Sequence, residues 1–168
     1  MKILVSDLKR EDVNNKNIDE YIDFIKEVKS NMEHPEWLGD FTKEDVLSII
    51  SNGGYCFLYR LGEMVAATSF IIPAREKDIE KFGVNYHYQE TMDYGPEAVI
   101  DYLRGSGVQS FILKDMDLFC KNLGYKYAVT TVHPDNIYCI HNMEKHGFTY
   151  VDTKEFSRGI RNIYQKDI

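Results

Sequence analysis

The sequence predicts an α/β fold in which a sheet carries helices on both faces. Three observations lead there. Segments with helical apolar stripes or helix caps alternate with β-rich runs, two of those runs flank a two-residue turn, and two further runs close the chain. The 168 residues set the scale: one domain spanning 1–168, long enough to bury roughly two-thirds of its unfolded surface.

A short strand opens the chain near Ile3-Leu4-Val5. Asn17 then reads as a helix N-cap, with Glu20 three residues on as its capping-box partner. Ile18, Tyr21, Ile22, Ile25, Val28 and Met32 follow as one apolar stripe, and Pro35 lies beyond its end. Thr42 and Asp45 cap a second helix, Phe41 and Val46 are placed as a hydrophobic staple, and Asn52-Gly53-Gly54 stops it. The runs 55–61 and 64–72 form a hairpin about Gly62-Glu63, closed by Pro73. Residues 74–91 are charged and Tyr-rich and show no period. A strand covers 98–103, with an origin as early as Met92 and Gly95-Pro96 as a bulge or break. Val108, Phe111, Ile112, Leu118, Phe119 and Leu123 mark a helix ended by Gly124. A strand at 127–132, a short helix from Asp135-Asn136 to Gly147, and strands at 148–153 and 160–166 complete the order β-α-α-β-β-β-α-β-α-β-β.

Composition narrows the function. The chain is 43% hydrophobic and 28% charged, with a net charge of −7. That balance disfavours a nucleic-acid partner, whose affinity comes largely from Lys and Arg on phosphates. No apolar run approaches the ~18 residues of a membrane span, and the N-terminus lacks the apolar stretch of a secretory signal. Cys56, Cys120 and Cys139 are odd in number and far apart, which points to a reducing cytoplasm rather than a disulfide framework. Residues 1–103 carry 11 basic and 20 acidic side chains, and residues 104–168 carry 9 and 7. The first part therefore attracts cations, and the second tolerates an anion.

The junction Val99-Ile100-Asp101-Tyr102-Leu103-Arg104-Gly105-Ser106-Gly107-Val108-Gln109 carries most of the chemistry. A strand runs into a turn with two glycines that opens a helix. Such a turn exposes backbone N–H groups, and the helix start adds roughly half a positive charge, so a phosphate fits there. A plain tight turn would use the same glycines. The stretch is not a nucleotide P-loop, since no Gly-Lys-Ser/Thr follows, and it lacks the third glycine of the dinucleotide fingerprint. Asp93 and Glu97, just upstream, are candidate general bases or ordinary surface acids. Tyr86, Tyr88, Tyr94 and Tyr102 either line a pocket for a cation or pack. His133, His141, His146 and Cys139 show no metal-ligand spacing, so no metal is expected.

Downstream, Thr131-Val132-His133-Pro134-Asp135-Asn136 leads through Cys139 to Glu144-Lys145-His146-Gly147-Phe148. The two segments together resemble the GNAT superfamily of N-acetyltransferases. That family's coenzyme A loop reads Arg/Gln-x-x-Gly-x-Gly/Ala, here Arg104 to Gln109, and its later motif runs from an Asn at a strand end to Lys-x-Gly-Phe, here Asn136 and 145–148. The resemblance implies a mixed central sheet and acetyl transfer from acetyl-CoA to a primary amine, by direct attack without an acyl-enzyme. It implies pyrophosphate on the N–H groups of Arg104, Gly105, Ser106, Gly107, Val108 and Gln109, the thioester end near Val99 and Ile100, and the pantetheine arm beside Asn136, Cys139 and Met143. The arm would lie between two splayed parallel strands, the one ending near Leu103 and that at 127–132. The acidic first part suits a small-molecule or peptide amine, and monomer and homodimer both stay open. The sequence departs from the family twice. Gln109 stands where Gly or Ala is usual, and Met143 stands where many members carry a Tyr that protonates the leaving thiolate. Met143 is what keeps an acyl-CoA-binding sensor with little turnover as the alternative reading.

Overall fold

The computed structural model describes residues 4–168. In chain order these form β1 (Lys9–Asp12), α1 (Ile18–Ser30), α2 (Lys43–Ser51), β2 (Tyr55–Leu61), β3 (Met64–Pro73), α3 (Glu76–Phe82), β4 (Thr91–Tyr94), β5 (Ala98–Val99), α4 (Val108–Asn122), β6 (Tyr127–Val132), α5 (Ile137–Lys145), β7 (Thr149–Phe156) and β8 (Gly159–Asp167). They fall into two compact units, interleaved along the chain. The first takes the described residues up to Ile71 and then 96–112. The second takes 72–95 and 113–168.

In the first unit β1, β2 and β3 pair antiparallel in that order, and β5 pairs antiparallel with β3. The hairpin about Gly62-Glu63 is as expected. Phe57, Leu58, Tyr59, Ala66 and Ala67 are fully buried, so the two strands bury both faces, and their near-continuous apolar runs follow from that. The α1 stripe is buried along Ile18, Tyr21, Ile22, Phe24, Ile25 and Val28, and the Tyr21 hydroxyl donates to Ser69 O at 3.3 Å. Thr42 and Asp45 form the expected capping box of α2.

Three expectations fail in this unit. Ile3 lies outside the described residues, Val5–Asp7 forms a 3-10 turn, and the first strand is Lys9–Asp12. Its four charged residues give no apolar alternation, as an edge strand permits. Asn17 does not cap α1 through a box with Glu20. Its Oδ1 accepts from Asn14 N at 2.7 Å, while its Nδ2 donates to Glu11 Oε1 at 2.7 Å. Glu20 is drawn instead to Arg60, which bridges Glu11 and Glu20 at 2.5 and 2.6 Å. Such charge-assisted pairs outweigh a backbone cap. Finally, only Ala98–Val99 of the expected strand 98–103 is extended, and Asp101–Leu103 forms a 3-10 turn. Gly95-Pro96 is a full break between β4 and β5.

In the second unit β4 pairs parallel with β6, β6 antiparallel with β8, and β8 antiparallel with β7. The stretch 74–91, without a period in the sequence, contains α3. Seven residues with a single buried side chain, Phe82, are too few to show one. Asp117 anchors this unit. It accepts from the Tyr94 hydroxyl at 2.8 Å and pairs with Lys166, which is only 5% exposed. Lys166 also donates to His146 O at 3.1 Å and lies over the Phe148 ring, 4.7 Å from its centroid. Leu118 and Leu123 of the expected α4 stripe are exposed, and Leu113, Met116 and Cys120 are buried instead.

Gly54 follows α2 at a point of close approach. A Cβ there would sit 2.6 Å from Ile49 Cγ2 and 2.8 and 2.9 Å from two carbonyl oxygens, those of Ile49 and Ile71. Gly54→Ala is therefore expected to lower stability by about 1–3 kcal/mol, read from urea unfolding. An unchanged midpoint would show that this corner relaxes freely.

Candidate functional site

The first unit holds the strand-to-helix junction. Ile100 N–H donates to Ala66 O at 3.0 Å. N–H directions alternate along an antiparallel strand, so the Val99 N–H points to the edge away from β3. This corrects the expectation that both N–H groups face a thioester: Ile100 has spent its donor on β3, and Val99 has not. The parallel neighbour of β6 is likewise β4, and not a strand ending near Leu103. Its ladder with β6 runs from Thr91↔Tyr127 to Tyr94↔Thr130, while β6 continues to Val132.

After β5 the chain turns through Asp101–Leu103. Arg104 N–H and Ser106 N–H donate to Asp101 O and Leu103 O at 3.1 and 3.2 Å, and the Ser106 hydroxyl donates to Leu103 O. Gly105 and Gly107 have φ of +75° and +93°, the left-handed region that glycine enters without steric cost. The first bond of α4 runs from Phe111 N–H to Gly107 O at 3.0 Å. The N–H groups of Gly107 and Val108 thus have no acceptor within the helix and mark its positive end. Among the described residues, a Cβ on Gly105 would meet nothing within 4 Å, and one on Gly107 would meet Val5 Cγ2 at 3.9 Å. The Arg104 guanidinium lies beside Asp101 at 2.8 Å, both about half exposed.

Glu97 belongs to the same unit. Its Oε2 accepts from Gln109 Nε2 at 3.1 Å, and its Oε1 is enclosed without a hydrogen-bond partner among the described residues. Burial pushes its carboxyl up to about 7, against smaller opposing effects of Gln109 and its own backbone N–H. Asp93 lies in the second unit, on β4 opposite Val129. Burial, and next the Asp78 charge, raise it to about 7, with Arg75 opposing. Both candidate bases are therefore poised near neutrality, as a proton acceptor for an amine needs to be.

Asn136 caps α5, its Oδ1 accepting from Cys139 N at 3.3 Å. Met143 is buried, while Tyr138 on the same helix is 86% exposed. Each of the four tyrosines has its own packing partner. Tyr94 is core, edge-on to Phe148, Tyr86 stacks on Tyr127, Tyr88 stacks on His87, and Tyr102 is exposed with its hydroxyl on Met64 Sδ.

One feature escaped the sequence reading. A cleft of about 330 Å³ in the first unit is lined by Glu20, Asp23, Glu27 and Glu63, with Phe24 and Ile100 among its apolar walls. Positions 20, 23 and 27 share one face of α1 by helical spacing, and that period was the available signal. Among the described residues no group of three or more His, Cys, Asp or Glu is placed to hold a metal, and no helix is long and apolar enough to cross a membrane.

No family model matches the sequence, and no curated protein matches it. Solved structures do. A GNAT-family acetyltransferase from Streptococcus pneumoniae superposes with a TM-score of 0.72 at 16% identity, covering 96% of this chain and 99% of that one. The chain has the GNAT fold. A Bacillus subtilis acetyltransferase in complex with CoA matches at a TM-score of 0.69 and 17% identity, over 96% and 99% of the two chains. A Salmonella typhimurium protein solved with its cofactor acetyl-CoA matches at 0.70 and 12%, over 95% and 93%. At these identities the likeness establishes the fold, with its mixed strands and helices.

The raised carboxyls give a pH signature. A buried carboxyl whose folded-state value lies above its unfolded one favours the fold while protonated. That contribution is lost as pH rises through about 7. Glu97→Gln is therefore expected to match wild type in urea unfolding at about pH 4 and to exceed it at about pH 8. Parallel pH dependence in the two proteins would show that Glu97 ionises without hindrance.

Proposed function

We propose that this chain is an N-acetyltransferase that moves the acetyl group of acetyl-CoA to a primary amine by direct attack, with no acyl-enzyme. The observation that carries this reading is the loop 104–109. Two left-handed glycines and a helix start lie together on a fold whose solved examples include complexes with CoA and acetyl-CoA. Acetyl-CoA supplies a thioester: the amine nitrogen bonds to its carbonyl carbon and the C–S bond breaks to release the thiolate.

The chain's own residues take the following parts in this reading. Gly107 and Val108 N–H groups, with Arg104, Gly105, Ser106 and Gln109 around them, hold the pyrophosphate. Val99 N–H, aimed away from β3, steadies the carbonyl oxygen as it gains charge, a contribution worth several kcal/mol where donors are fixed in advance. Asn136, Cys139 and Met143, in the second unit, are the residues proposed for the arm. Glu97 takes the ammonium proton, with Asp93 as the second candidate. The cleft bearing Glu20, Asp23, Glu27 and Glu63 supports a small cationic acceptor, because Ile100, beside Val99, forms part of its wall.

A second reading is favoured by Met143, which is buried and has no proton to give. An acyl-CoA-binding sensor would need the loop and the arm contacts but no acid. Coenzyme release measured over a panel of amines separates the two. The enzyme reading expects turnover that is best with dicationic amines, and a KM for them that rises with salt, as screened attraction requires. Acceptors that are exclusively anionic would reject the acidic cleft as their site, and binding without release from any amine would establish the sensor.

The loop has its own test. Gly107→Asp and Gly107→Asn carry the same backbone strain, but only the first places a negative charge against the pyrophosphate. Acetyl-CoA affinity by calorimetry is expected to fall about tenfold or more further in the Asp variant, a difference of about 1.4 kcal/mol. Equal losses in the two would remove the pyrophosphate from this loop.

A further inference from the structure

We propose that Gln109 is a positioning residue for Glu97, tying the proposed base to the coenzyme loop. The inference rests on the acetyltransferase reading and adds to it a role for the Gln109 side chain, which stands where Gly or Ala is usual in the motif it resembles. Gln109 stands in the first turn of α4, two residues after Gly107, and its Nε2 donates to Glu97 Oε2 at 3.1 Å. The other oxygen, Oε1, is enclosed and has no hydrogen-bond partner among the described residues. A buried acceptor left unsatisfied is costly in a fold, so its presence needs a reason. The Gln109 bond supplies one. It occupies one oxygen, fixes the plane of the carboxyl, and leaves Oε1 as the atom that receives a proton.

The same bond tunes the base. Burial raises the Glu97 carboxyl, and the Gln109 amide, which donates to the ionised form, holds it from rising further. The charged groups nearest along the chain, Asp101 and Arg104, are paired with each other. The side chain thus does two things from one place: its main chain belongs to the proposed pyrophosphate site, and its amide sets the orientation and acidity of the base.

Two variants of the full chain test this. Gln109→Ala removes the side chain, and Gln109→Met keeps its approximate volume while removing the donor. In both, the acidic limb of the kcat/KM profile should move up by about one pH unit, the size expected for losing one bond to a charged acceptor. The Glu97 carboxyl carbon, followed by NMR in coenzyme-free protein, should titrate higher by the same amount. An unmoved titration and pH limb in both variants would overturn the proposal. So would a shift in Gln109→Ala that Gln109→Met abolishes, because packing would then be the cause. A wild-type chain that binds no acetyl-CoA and acetylates no amine would refute the functional reading and the role with it, whereas the coenzyme-free titration reports on the Gln109–Glu97 bond alone.

Discussion

The bond from Ile100 N–H to Ala66 O fixes much of the candidate site. It is one of very few that hold the two-residue strand β5 against β3. By occupying one edge of the strand it turns the Val99 N–H toward the other. Ile100 O then accepts from Leu103 N–H at 3.0 Å and starts the 3-10 turn. That turn delivers Arg104 to the loop, and the loop delivers Gly107 to the head of α4. Glu97, immediately before β5, is held to the first turn of that helix by Gln109. A single ladder bond thereby sets the direction of a backbone donor, the start of a phosphate-type loop and the place of a carboxyl.

The second unit is organised by a different kind of force. Asp117 receives both the Tyr94 hydroxyl and the Lys166 ammonium, so a residue of α4 ties the ends of β4 and β8. Tyr94 is also where the parallel ladder to β6 ends, and Thr130 Oγ1 donates to its carbonyl oxygen at 2.9 Å. Lys166 is buried while Asp117 is partly exposed, so losing Asp117 would leave a buried charge uncompensated, which is costly. The strand end beside which an acyl arm is proposed to lie is accordingly among the better secured points of this unit.

What could be read from the sequence follows the range of the interactions. The Thr42–Asp45 box closes within four residues, and the hairpin about Gly62-Glu63 within two, so both were visible. The Asn17–Glu20 box was not realised because Arg60, forty residues away in sequence, captures Glu20. The glycines of the loop were legible because backbone conformation limits which residues can stand there. The strand at 98–103 was over-read: Tyr102 and Leu103 are apolar enough for a strand, but the backbone turns after Ile100. The enclosed Oε1 of Glu97 and its link to Gln109 have no signature at a spacing of twelve residues across a break. The acidic face of α1 was present as a period and was lost within the overall excess of negative charge.

Gly105 and Gly107 set the shape of the loop through their own backbone. Their positive φ values are unstrained for glycine, and the Arg104 and Ser106 N–H groups are already bonded inside the turn. The Gly107 and Val108 N–H groups have no acceptor within α4, so on the proposed reading the fold itself aims them. A loop built this way loses little conformational entropy on capture. On the proposed reading, the loop's shape is set by its own glycines, so its encounter with the pyrophosphate would be governed by charge and orientation.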